Sequence, residues 1–134
     1  MNTEHICPDT LFDSQPYGFS QAVVSEGSRV VHIAGQTSQD KDLNIIGEGD
    51  FAAQAKCAFE NLGLALAAAG AKKADVAKIN IYVVENHPQN LEIIAAATRE
   101  FFGELSPPAS TMVGVTFLAL PPFLIEIEAT AICN

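Results

Sequence analysis

Basic side chains are scarce in this chain. Its 134 residues include 7 Lys and Arg against 16 Asp and Glu, for a formal net charge of −9. Arg29 and Arg99 are the only guanidinium groups, and the nearest lysine cluster is Lys72-Lys73. Phosphate backbones are bound by clustered Lys and Arg, so nucleic acid is not an expected partner. Anionic membrane surfaces are disfavoured on the same ground. Long apolar runs are also missing; the best, Leu62 to Ala71, is too short to span a bilayer and has helical spacing. The N-terminus lacks the basic start and apolar segment of a signal peptide. No membrane association is expected, and a cytoplasmic location is the default.

Chemical motifs are few. Cys7, Cys57 and Cys133 are odd in number, far apart and without a Cys-x-x-Cys pattern, which reads as reduced thiols. Cys57 falls within a helical pattern and reads as a packing residue. There is no His-x-x-x-His or His/Cys cluster, so no metal site is expected. Gly47-Glu-Gly49 lacks the strand-then-helix setting of a nucleotide loop, and no Gly-x-Ser-x-Gly elbow occurs. No linker, repeat or low-complexity tract divides the chain, so residues 1–134 read as one domain.

The segments present are strongly patterned. Hydrophobic residues make up 49% and charged ones 17%, the balance of a globular chain. Two β-rich runs joined by Glu26-Gly27-Ser28 predict a first hairpin from about Ser20 to Gln36. Residues 39–50 read as a loop, and Asp50 as the N-cap of a helix whose apolar residues recur every three or four positions. Gly70 is placed to end it. Val76 to Val84 is a strand, Gln89 to Phe102 a second helix, and Thr111 to Leu118 a fourth strand entered through Pro107-Pro108. The order is ββαβαββ, an α+β two-layer sandwich.

The fifth strand, Phe123 to Ala131, is the most informative. Phe123, Ile125, Ile127, Ala129 and Ala131 point one way; Leu124, Glu126, Glu128 and Thr130 point the other. The second set puts two carboxylates side by side. Buried carboxylates are costly unless bound, so the pair marks either a solvated edge or a site. Two helices can cover only one face of the sheet. Leu118, Leu124 and Ile132 are expected to share the other with the acids, which predicts a closed homo-oligomer that covers it.

Four short stretches, in order, resemble the reactive-intermediate deaminase (RidA, or YjgF) family. They are Pro16-Tyr17, Ile33-Ala34-Gly35-Gln36, Pro108-Ala109-Ser110 and Ile125-Glu126-Ile127-Glu128-Ala129, and the helix end Ala68-Ala69-Gly70 fits as well. The likeness runs from about Gln15 to Ile132. It implies a chorismate-mutase-like fold in a homotrimer, with a central barrel of sheets and ligand clefts between subunits. It also implies hydrolysis of 2-imino acids to 2-oxo acids and ammonia, without metal or organic cofactor.

Carried over by position, the resemblance makes Glu126 the acid that holds water and exchanges protons. Tyr17 closes the cleft, and Gly35 lets backbone approach the ligand. Ser110 and Thr111 are candidate ligand contacts, and Met112 makes the cleft more apolar. One departure stands out. Deaminating members carry an arginine directly after the Pro-Ala pair, where this chain has Ser110. Each lost charged contact is worth about 1.5–3 kcal/mol, so carboxylate substrates should be handled roughly ten- to several-hundred-fold less well. The resemblance therefore implies an imine or enamine hydrolase acting on a metabolite other than simple 2-imino acids. The alternative is a non-catalytic small-metabolite-binding or regulatory trimer. Ribonuclease activity, ascribed to some relatives, fits the charge of −9 least.

Overall fold

A computed structural model describes residues 2–85 and 87–134. Its strands are β1 (Asn2–Ile6), β2 (Ala22–Glu26), β3 (Arg29–Gln36), β4 (Val76–Val84), β5 (Ala109–Val115) and β6 (Ile125–Cys133). Its helices are α1 (Phe51–Ala68) and α2 (Gln89–Phe102). The predicted ββαβαββ order is present, preceded by one strand, and the chain has an α+β fold.

Local chemistry sets the helix ends. Asp50 is extended, and its carboxylate accepts a hydrogen bond from the Ala53 N–H at 3.1 Å, which starts α1. After Ala68 the chain turns through Gly70 at φ 74°. The Gly70 N–H donates to Ala67 O at 3.0 Å and the Ala71 N–H to Leu66 O at 2.9 Å. That is a Schellman closure, and its left-handed residue favours glycine.

β3, β6, β4 and β5 form one sheet in that order. β6 lies antiparallel to both β3 and β4, whereas β4 and β5 are parallel, joined by the α2 crossover. Ile125, Ile127, Ala129 and Ala131 of β6 are buried with Ile79, Ile81 and Val83 of β4 and with Phe59, Leu62 and Leu66 of α1. Alternation turns Glu126, Glu128 and Thr130 to the opposite face, where all are half-buried. Leu118, Leu124 and Ile132 are half-buried too.

The predicted first hairpin is not formed. Both strands exist, but β3 pairs with β6, and β2 pairs antiparallel with β1 in a separate ribbon. At the turn between β2 and β3, Gly27 packs against the end of β6, where a Cβ would stand 2.6 Å from Cys133 O. From there β2 passes near β4 and β6 instead of running alongside β3. β1 was not anticipated because its short, polar sequence carries little strand signal. The last strand also begins and ends two residues later than the pattern suggested, and β5 runs Ala109–Val115 rather than Thr111 to Leu118.

Candidate functional site

A cleft of about 490 Å³ opens between α2, β5 and the loop before β2. Ile81, Ser110 and Met112 line it from the sheet, Leu91, Ile94 and Thr98 from α2, and Phe12, Tyr17 and Phe19 from the loop. Parallel register explains the sheet side. Ser110 lies beside Ile79 and Met112 beside Ile81, so both share the helix-side face.

The loop that carries Tyr17 is held at several points. Residues Gln15–Tyr17 form one 3₁₀ turn, ended by Gly18 at φ 86°. Gly18 lies against α2 so closely that a Cβ would be 3.3 Å from Ala95 O. The fully buried Ser14 hydroxyl donates to Phe19 O at 2.6 Å, and Arg99 Nη1 donates to Pro16 O at 2.7 Å. The start of β5 is fixed as well. Ser20 Oγ and His5 Nδ1 both bond Pro107 O, at 2.6 and 2.9 Å, and the Ser20 N–H bonds Pro108 O at 3.0 Å. Tyr17 and Ser110 are thus placed by backbone ties rather than by each other.

Thr111 turns to the opposite face and accepts a hydrogen bond from Lys78 Nζ at 2.7 Å. Within one protomer it stands on the face opposite Ser110, because neighbours in a strand face opposite ways. Ser110 Oγ has no side-chain hydrogen-bond partner among the described residues. Thr98 Oγ1 donates to Ile94 O at 2.7 Å and keeps its acceptor capacity.

Glu126 and Gly35 form a second constellation on the face away from the helices. A Cβ at Gly35 would lie 2.7 Å from Glu126 Cδ. The room gained by glycine lets this carboxylate lie against the backbone of β3. Glu128 is held differently. Tyr82 and Asn80 of β4 donate to its Oε1, the latter at 3.3 Å. That bond, followed by burial and the charges of Glu128 and Glu126, raises the Tyr82 pKa above the ordinary phenol value. Glu128 is therefore structurally engaged, whereas Glu126 has no side-chain hydrogen bond to a described residue.

No group of three or more His, Cys, Asp or Glu among the described residues is arranged to hold a metal. Cys57 is half-buried, and burial together with Glu60 and Asp40 pushes its thiol pKa up, unfavourably for a nucleophile. Phe12, Phe19 and Thr98 were not identified as cleft residues from sequence. The two phenylalanines sit in irregular chain, and Thr98 fits the buried stripe of α2 equally well.

A family model described as Endoribonuclease L-PSP matches residues 13–133. The chain belongs to this family, the RidA/YjgF family. A Rid-family protein of unknown function from Yersinia pestis, YyfB, has the same fold at a TM-score of 0.95. It is 42% identical, over 98% of this chain and 99% of that one. A RutC family protein of Pyrococcus abyssi is 34% identical over 118 residues, covering 87% of this chain and 88% of its own. A 2-iminobutanoate/2-iminopropanoate deaminase of Dermatophagoides farinae is 34% identical over 105 residues, 78% of each chain. The RidA/YjgF likeness thus extends across both constellations, the Tyr17–Ser110 cleft and the Gly35–Glu126 pair.

Proposed function

We propose that this RidA/YjgF-family protein is a cofactor-independent imine or enamine hydrolase acting on a small metabolite other than a simple 2-imino acid. The observation that supports the proposal is the character of the Tyr17–Ser110–Met112 cleft: among the described residues of one protomer, no charged side chain lines it. A 2-imino acid entering it would leave water with its carboxylate unpaired. Arg99 does not supply the missing cation, because its guanidinium is turned to Pro16 O. Within one protomer Lys78 lies on the other face, with Thr111.

The second half of the chemistry comes from Glu126. It lies on the opposite face of the sheet from Ser110, so one protomer does not bring the two together. In a homotrimer, a neighbouring copy supplies Glu126 to the cleft of the first. The edge position of β5 fits such an arrangement. Glu126 holds a water and accepts its proton as the oxygen attacks the imine carbon. Glu126 returns that proton to the nitrogen, giving a carbinolamine; it then passes the hydroxyl proton to the nitrogen as the C–N bond breaks, leaving a carbonyl and an amine or ammonia. Water is the sole co-reactant.

The test is hydrolysis of freshly generated 2-iminobutanoate beside imines that lack a carboxylate. The neutral imines should be accelerated and the 2-imino acid should not; robust acceleration of 2-iminobutanoate at micromolar protein contradicts the proposal. A binding module is the second reading, favoured by the absence of any titratable side chain other than Tyr17 from the single-protomer cleft. Under it, ligand raises the melting temperature without being consumed. The net charge of −9 and the uncharged cleft both weigh against an RNA substrate.

A further inference from the structure

The loop before β2 spends three aromatic rings on one wall. The Phe12 ring stands edge-on to Tyr17, with centroids 6.1 Å apart at 75°, and to Phe19, at 6.2 Å and 71°. Phe12 remains 62% exposed and Tyr17 57%. Such rings normally bury most of their surface, so two held open on a loop tied down by Ser14, Gly18 and Arg99 form a prepared surface rather than a loose end. Facing them are Ile81, Leu91, Ile94 and Met112. The polar atoms among these walls are few, with hydroxyls at Ser110, Thr98 and Tyr17. The volume of about 490 Å³ lies in the usual range of small-ligand pockets, roughly 300–1,000 Å³.

We infer that the cleft takes an uncharged molecule with a flat aromatic or conjugated body, seated against Phe12 and Tyr17, whose one polar end bonds Ser110 Oγ. Phe12 is the specificity-determining residue. This inference rests on the cleft being the ligand site in the reading above, and adds the ligand's class to it. The physical basis is complementarity. An aromatic body gains edge-to-face contacts as well as burial. A single carbonyl oxygen or imine nitrogen is satisfied by the one donor a hydroxyl offers, whereas a carboxylate is left with its charge unpaired. Methionine at 112 adapts to a flat ligand and gains sulfur–ring contact.

The experiment follows methyl resonances of Ile81, Ile94 and Met112 in the intact protein during titration with benzamide, cyclohexanecarboxamide and benzoate. Benzamide should shift them saturably. Benzoate should bind at least about tenfold more weakly, since its charge finds no partner. Cyclohexanecarboxamide should bind more weakly than benzamide. Phe12→Ala should weaken benzamide about two- to tenfold, and should weaken cyclohexanecarboxamide less. Ser110→Arg should invert the benzamide–benzoate preference. Equal or tighter binding of benzoate, no benzamide shift, or an unchanged affinity in Phe12→Ala overturns the inference. The Glu126→Gln protein separates this from the catalytic reading. If benzamide binds to it and to wild type, while wild type hydrolyses no neutral imine, hydrolysis is refuted and the ligand class is upheld.

Discussion

The Glu126 side chain occupies the space that a side chain at Gly35 would fill. A Cβ there would lie 2.7 Å from Glu126 Cδ and 2.8 Å from Cγ. Gly35→Ala therefore displaces a carboxylate rather than a backbone segment. A long side chain can swing away, so the fold should survive with a stability change of about 1 kcal/mol or less. Turnover of a neutral imine should fall as far as in Glu126→Gln. Comparing kcat and urea midpoint in the two variants checks both halves.

Glu126→Gln keeps the shape and removes the proton acceptor. Its kcat should fall by roughly 10²–10⁴-fold with an unchanged denaturation midpoint. Steady-state kinetics on a neutral imine measures this. An unaltered rate would move the acid–base role elsewhere.

Ser110→Arg places a guanidinium on the cleft wall. Charged hydrogen bonds to a carboxylate should improve kcat/KM for 2-iminobutanoate by roughly tenfold or more. Coupling the released ammonia to a standard assay would show it. Ser110→Lys should gain less, since an ammonium lacks the planar fork.

Much of the fold was legible because the signals were local. The Asp50 cap, the three-and-four spacing of α1 and the full range of α2 were read from sequence, as was the two-residue alternation that turns Glu126 away from Ile125 and Ile127. The β2–β3 pairing was not. A turn such as Glu26-Gly27-Ser28 is compatible with a hairpin, and nothing local in it reveals that β3 pairs with β6 and β2 with β1. The site was legible residue by residue but not as a geometry. Tyr17, Ser110 and Met112 meet; Thr111 faces the other way; and Glu126 lies across the sheet. Phe12 had no periodicity to reveal it.

Gln54 shows the same limit from the side of stability. It is polar, fully buried in α1, and bonds three backbone groups outside the helix: Gly47 O, Pro122 O and the Leu124 N–H at 3.2, 2.9 and 2.9 Å. It ties the loop before α1 and the loop before β6 to the core. Gln54→Leu should cost about 3 kcal/mol or more, since three polar groups lose their partner at roughly 1–3 each. Urea denaturation at fixed protein concentration would read it.

Tyr82 gives a pH signature on the open face. Its pKa in the folded protein is raised, first by the hydrogen bond to Glu128. The associated stability is present below the ordinary tyrosine value of 10.0 and is lost as pH rises through the folded one. Wild type should therefore lose more stability between pH 8 and about pH 11 than Tyr82→Phe, as measured by urea midpoints. Equal losses would show that the tyrosine–glutamate bond does not persist in solution.

The decisive measurement is the mass of the purified protein by light scattering across micromolar concentrations. A functional cleft assembled from Ser110 of one copy and Glu126 of the next predicts three times the 14.2 kDa of a single chain. A steady 14.2 kDa would leave these two residues permanently on opposite faces of one sheet and contradict the account.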